Sequence, residues 1–350
     1  MTDTEFKLHK FDMVISEVKK EPVNGVKPSA LTVAFSGNDI NIKMINALRR
    51  VMMLNLPSYA FPREMINIEA NTTAAFNNDY MKLRLGYLPV LGVDVGLSFL
   101  HEKYWNGVNY ADPAREKHIA ERSIDVYINS HNNSANIVNV TTDDVVVYLD
   151  GEEIKPYDNK FPILIIKLRP NDTFKCHLRG AIGVPEVDAR WRMARNVWYA
   201  EVGDEKTKKY QMTIKGNNQA DEYEILVRAC KYLIKKLENT RNELVTKITT
   251  KELIRQNPIK LKLDGEDHTL GEILNYELQD HPDIIFSGVS KTDHLVKAIT
   301  LTLKSVPSVD SPLDAVIVCL EKLIKKFNHL GGTISANLTK ESGPKKKSNY

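Results

Sequence analysis

The sequence predicts an α+β chain made of two similar halves, the first of them interrupted by a mainly β insert. Three observations predict it. Apolar residues recur at helical spacing in two short and two long segments. The order over 259–330, strand, short helix, strand pair and long helix, repeats that of 7–56 joined to 209–241. Between those pieces, 61–201 consists of short runs rich in Val, Ile, Tyr and Thr, separated by Gly, Pro, Asn and Asp, the composition of antiparallel strands. The implied organisation is a first half at 1–61 and 202–245, an insert at 62–201, a linker at 246–257, a second half at 258–330 and a disordered tail at 331–350.

In chain order, strands are expected at 7–17 and 30–35. A Ser36-Gly37-Asn38-Asp39 turn then leads into a helix over 42–56, on which Ile45, Leu48 and Met52 share a face before Pro57 closes it. In the insert, Val145 to Leu149 and Phe161 to Leu168 are the clearest strands, each ending at a turn. A strand at 209–214 and the Gly216-Asn217-Asn218 turn precede a long helix over 221–241. Its Tyr223, Leu226, Cys230, Leu233 and Leu237 alternate three and four residues apart, the spacing of a helix packed along a partner helix. Ile259, Leu261 and Leu263 alternate as a strand. Thr269 as N-cap and Glu272 three residues on form a capping-box pattern for a helix over 270–279. Ser311-Pro312-Leu313-Asp314 starts the last helix, striped by Leu313, Val316, Ile317, Leu320, Ile324 and Phe327, and Gly331-Gly332 is read as its stop.

Composition narrows the function. At 350 residues, with 42% hydrophobic and 27% charged, the chain can bury two or three cores, and wholesale disorder is excluded. No apolar run approaches the ~18 residues of a membrane helix, and the N-terminus lacks the apolar core of a secretory signal, so an intracellular protein is expected. Cys176, Cys230 and Cys319 lie too far apart to clip a zinc ion or iron–sulfur cluster, and no metal or cofactor is expected. His268 could act as ligand or base, but no second ligand recurs near it, and a role at the helix start suits it better. No phosphate loop, nucleophile elbow or acid pair occurs, so no active site is expected. A net charge of +3 is too small for a dedicated nucleic-acid binder.

Asp267-His268-Thr269-Leu270-Gly271, with Asn275, His281-Pro282-Asp283 and Phe286-Ser287-Gly288, resembles subunit eleven of eukaryotic RNA polymerase II and the archaeal L subunit. Asn46-Ala47-Leu48-Arg49-Arg50, with Pro57, resembles the signature helix of the bacterial alpha subunit and of eukaryotic subunit three, although an amphipathic helix ending in cations reads the same way. Lys82 to Val90 is similar to the Arg-x-Gly-x-x-Pro stretch of subunit three through Arg84, Gly86 and Pro89, and also reads as a strand ending in a turn. Gly180 to Trp191 resembles the segment ending His-Ala-Lys-Trp, with Asp188 and Arg190 in place of the His and Lys; Trp191 also reads as plain core. The metal site that relatives of subunit three often carry in the insert has no ligands here.

The resemblance implies a fusion of the two alpha-like subunits, as in large cytoplasmic DNA viruses, folded as an intramolecular pseudo-dimer. Its core is expected to contain Ile45, Leu48, Met52, Leu226, Leu233, Leu237, Leu270, Leu274, Val316, Leu320 and Ile324. It implies an assembly role: Arg49 and Arg50 would meet the second-largest subunit, Arg84, Arg190 and Trp191 would also lie at polymerase-subunit interfaces, and the largest subunit and a small zinc-bearing subunit of the subunit-ten type would join. DNA and RNA would be touched only indirectly, in host cytoplasm and virion. A stand-alone nucleic-acid binder using Arg190, Arg192, Arg195 and the lysines at 345–347 is the alternative.

Overall fold

A computed structural model describes residues 11–23, 28–203, 209–250, 256–291, 293 and 295–341. The chain opens with β1 (Val14–Glu21) and β2 (Ala30–Ser36), paired antiparallel. Part of the strand expected at 7–17 falls on residues 1–10, outside the described residues. Helix α1 (Ile42–Leu54) starts where Asn41 Oδ1 accepts the Met44 N–H at 2.9 Å, and it buries Met44, Ile45, Leu48, Val51 and Met52.

The insert follows as β3 (Ser58–Ala60), β4 (Ile66–Asn71), α2 (Asn78–Gly86), β5 (Ile124–His131), β6 (Val138–Thr141), β7 (Val145–Leu149), β8 (Glu152–Ile154), β9 (Leu164–Leu168), β10 (Thr173–Arg179) and β11 (Ala181–Gly183). Its main sheet has the antiparallel order β4-β10-β5-β7-β8, beside the pairs β6-β9 and β3-β11. Val126, Ile128, Leu168, Phe174 and Leu178 fill a core separate from that of the halves. Residues 82–86, readable as a strand, are helical. Asn77 caps α2 by accepting the Tyr80 N–H at 2.8 Å, and Met81 and Leu85 are buried four residues apart instead of alternating.

Next come β12 (Ala194–Glu201) and β13 (Lys209–Gly216), which complete the first-half sheet in the order β1-β2-β13-β12. The insert therefore ends before Ala194, not at 201. Exposed Arg195, Asn196 and Trp198 hide the alternation of β12, because one face of this edge strand meets solvent. Helix α3 (Glu222–Thr249), capped by Asp221, runs beyond the expected end at 241 and through the start of the expected linker. Leu244 is buried and Ile248 packs on the core, so the stripe continues; 251–255 lie outside the described residues.

The second half runs β14 (Ile259–Asp264), α4 (His268–Gln279), β15 (Ile284–Ser290), β16 (Ala298–Ser305) and α5 (Leu313–Glu341), with sheet order β14-β16-β15. It repeats β2, α1, β12, β13 and α3, so recovering β12 makes the duplication more complete than the sequence indicates. The expected Thr269/Glu272 capping box does not form. Asp267 is the N-cap and accepts the Thr269 N–H at 2.7 Å, while Thr269 and Glu272 turn to α1. Gly271 lies where a Cβ would sit 2.6 Å from Ile299 Cδ1, so close packing of α4 on its sheet needs glycine there.

Gly331 and Gly332 do not stop α5. Neither has a positive φ, and buried Leu330 and Ile334 carry the stripe across them. A helical glycine costs about 1 kcal/mol, less than burial of those two side chains returns. The tail expected from 331 is helical to Glu341; Lys345, Lys346 and Lys347 lie outside the described residues.

Candidate subunit interface

The four helices form one seam between the halves. Long α3 lies along α5 and short α1 meets α4, around an apolar core shared by both halves. Leu48, Met52, Leu226, Leu233, Leu237, Leu270, Leu274, Val316, Leu320 and Ile45 are buried in it, and Ile324 packs at its edge. At the rim, Arg50 donates from Nη2 to Asp267 Oδ2 and from Nε to Thr269 Oγ1, both at 2.7 Å. Lys43 reaches Glu272 at 2.6 Å, Lys236 reaches Glu266 at 2.7 Å and Arg241 lies 3.7 Å from Glu321. Burial alone would raise the Asp267 carboxyl, but hydrogen bonds from Thr269 and the Arg50 charge outweigh it and hold that group below its ordinary range. Neighbouring Glu266 goes the other way: burial raises it, and Lys236 only partly offsets this.

Buried charges continue the seam below the rim. Lys326 on α5 binds Glu277 on α4 at 2.5 Å and lies 3.4 Å from Asp39 of the first half, and Lys322 meets Glu277 at 2.7 Å. Phe11 of the first half stands 5.9 Å, ring to ring, from His329 of α5. A cavity of about 220 Å³ opens beside Arg50, Tyr232, Lys236, Glu266 and Lys297.

The insert is fastened across this seam by polar contacts that periodicity does not reveal. Arg228 on α3 binds both Glu224 and Asp94, Phe99 sits 5.6 Å from Tyr232, and Lys297 of the second half meets Glu186 at 2.8 Å and Glu102 at 3.4 Å. These residues are scattered in sequence, so their proximity is invisible before folding.

All five residues expected at an outward interface have partners inside the chain. Arg50 faces the second half. Arg190 donates to Asp188 and to the Phe61 carbonyl, at 2.9 and 3.0 Å. Trp191 is buried, and its Nε1 donates to the Ala181 carbonyl at 3.1 Å. A Cβ at Gly183 would fall 2.5 Å from the Trp191 ring, so the Gly-Ala-Ile-Gly run is cut to receive this indole. Arg190 and Trp191 thus hold the insert together, whereas they are expected from the sequence at an outer contact. Arg49 is half-buried and donates within α1, to Asn46 at 3.0 Å, while Arg84 on exposed α2 donates to the Leu164 carbonyl at 2.9 Å. Beside Arg84 lies an open apolar groove of about 380 Å³ whose walls include exposed Leu83, Tyr87 and Ile163.

Among the described residues, no group of three or more His, Cys, Asp or Glu is placed to hold a metal, and no helix is long and apolar enough to cross a membrane. Cys176, Cys230 and Cys319 are free and buried, and burial pushes their thiols up to about 12.

Comparison with known proteins agrees with this geometry. The RNA polymerase Rpb3/Rpb11 dimerisation domain matches twice, over 34–237 and over 258–333. A protein of Acanthamoeba polyphaga mimivirus, provisionally named a DNA directed RNA polymerase subunit, is 27% identical over 339 residues, 91% of this chain and 94% of its own. DNA-directed RNA polymerase subunit Rpo11 of Sulfurisphaera tokodaii is 33% identical over 66 residues, 19% of this chain and 70% of its own. The chain belongs to the RNA polymerase Rpb3/Rpb11 dimerisation-domain family, as an alpha-like DNA-directed RNA polymerase subunit that carries two such domains in one polypeptide.

Proposed function

We propose that this chain is the non-catalytic platform on which a viral multisubunit RNA polymerase assembles. One observation carries the reading: both dimerisation halves are satisfied by each other within a single chain, which leaves the outer surface of the halves, with Arg49, and that of the insert, with Arg84, for other subunits. Covalent linkage sets the effective concentration of one half around the other at roughly millimolar, so pairing becomes part of folding and the platform needs no prior encounter. The second-largest subunit binds it first, then the largest, together with a small zinc-bearing subunit of the subunit-ten type. Nucleic acid is reached only through those chains. Similarity to the mimivirus protein along nearly the whole chain supports a viral origin, with action in the infected cell's cytoplasm and packaging in the virion.

The test is affinity purification of the tagged chain from infected cells or particles, with mass spectrometry of what stays bound at high salt. Two very large chains in equal amount are expected, and Arg49→Glu with Arg84→Glu should fold normally yet lose them. Recovery of the chain alone, or unchanged assembly of that variant, overturns the reading. A stand-alone nucleic-acid binder would instead show steeply salt-dependent DNA binding by the isolated chain; Arg190, one residue that reading uses, is already bonded to Asp188 and Phe61.

A further inference from the structure

Five ion pairs join the first half to the second among the described residues, and their polarity is uneven. Four place the cation on the first half, at Lys43, Arg50, Lys236 and Arg241, and the acid on the second, at Glu272, Asp267, Glu266 and Glu321. Only Asp39 with Lys326 runs the other way. An apolar core carries no such sign. Leucine and isoleucine stripes on four similar helices would also accept the matching half of a second copy, as C2 dimers do.

The helix caps show what a like-with-like pairing would meet. Asn41 caps α1 and Asp267 caps α4, which puts the two helices in register. In that register Lys43 corresponds to Thr269, Asn46 to Glu272 and Arg50 to Tyr276. Two first halves would therefore set Lys43 against the other copy's Asn46 and bring Arg50 onto its Asn41 and Lys43. Two second halves would set Glu272 against Thr269 and Asp267 against Tyr276. Both arrangements lose the Lys43–Glu272 and Arg50–Asp267 pairs, and the first adds a like-charge contact. We propose that this polarity is a pairing code: the seam accepts an unlike half, of its own chain or exchanged from a second copy, and rejects a like one. The code acts on how the halves find each other. It does not rest on the assembly role, so its failure would leave that reading standing.

Two pairs can be reversed without touching a helix cap. The cation set is Lys43→Glu with Arg241→Glu, the acid set Glu272→Lys with Glu321→Lys, each made in the full chain. Each set alone is expected to lower the unfolding midpoint by roughly 5 °C, and both together in one chain should restore most of that loss. Losses that simply add would overturn the proposal, and the combined chain keeps this readable if either single set folds poorly.

Selection is read directly by mixing. The two single-set chains are refolded together at high concentration and weighed by light scattering after gel filtration. A species of two chains, one of each kind, is expected at roughly ten times the wild-type level, because only exchange restores opposite charges. A mixed species no more abundant than the wild-type dimer overturns the code.

Discussion

One apolar core runs through both halves of the chain, whereas the insert closes a core of its own and reaches the halves through ion pairs, hydrogen bonds such as that from Gln219 to the Tyr59 carbonyl, and an aromatic contact. The halves are thus one cooperative unit built from two sequence segments, and the insert is a second unit held in place by polar fasteners. Their construction differs as well. Helix-on-helix packing makes the seam, and strand pairing between distant segments makes the insert, as when β4 at 66–71 meets β10 at 173–179.

The sharpest way to break this comparison is to empty each core in turn. Phe327 is fully buried in the seam and Phe174 in the insert. Either change to Ala should cost about 3–5 kcal/mol. Phe327→Ala is expected to expose amide protons in α1, α3, α4 and α5 together and to leave β5 and β10 protected, while Phe174→Ala does the reverse. Hydrogen exchange read by mass spectrometry checks this, and loss of protection throughout the chain in both variants would mean a single unit.

The same contrast explains what was legible in the sequence. The seam stripes at Ile45, Leu48 and Met52, and at Leu226, Leu233 and Leu237, are local patterns at helical period, so each can be read without knowing its partner. The cap of α4 reads two residues late because Thr269 and Asp267 both suit an N-cap; only Arg50, 219 residues from Thr269, draws that hydroxyl off. The segment of Arg190 and Trp191 reads either as a family motif or, for Trp191, as plain core, and nothing local shows that the Phe61 and Ala181 carbonyls accept hydrogen bonds from them. The insert's fasteners at Asp94, Phe99 and Glu102 fall in or beside a stretch whose Leu91, Val93, Val95 and Leu97 alternate like a strand but form none, so its local pattern does not point to their partners.

A smaller effect separates the true cap from the expected one. Asp267→Ala removes the N-cap acceptor of α4 and the Arg50 partner together, an expected loss of about 1–2 kcal/mol. Glu272→Gln leaves the cap intact and disturbs a half-exposed pair with Lys43, for under about 0.5 kcal/mol. Urea denaturation of the two variants ranks them, and equal losses would restore the capping box.

The rim also titrates in two directions. The Asp267 carboxyl is held below its ordinary value in the folded chain, so its contribution is present above that value, near pH 4, and fades as pH falls through the depressed one. The raised Glu266 contributes most below its ordinary value, and that stability is lost as pH rises toward the elevated one. Denaturation midpoints between pH 3 and 7 should show a shallower acid limb for Asp267→Asn. For Glu266→Gln the decline that starts near pH 4.5 should disappear, and unchanged profiles would place neither carboxyl in the seam.

The smallest expected change tests how far the seam extends. Gly332 sits in the α5 helix where a Cβ would meet nothing within 4 Å, and Gly331 would place one 3.4 Å from Cys230 Cβ. If 331–341 were a loose tail, Ala at 332 would not alter the unfolding midpoint. In a helix whose Ile334 is fully buried, it should stabilise by about 0.5–1 kcal/mol, since it removes backbone freedom from the unfolded chain without a clash in the folded one. Gly331→Ala should gain slightly more, because its methyl would meet the Cys230 Cβ on α3 at 3.4 Å, an ordinary packing distance. A difference between these two glycines, read from paired thermal melts, would show that α5 remains in contact with α3 past the point where the sequence suggests that it stops.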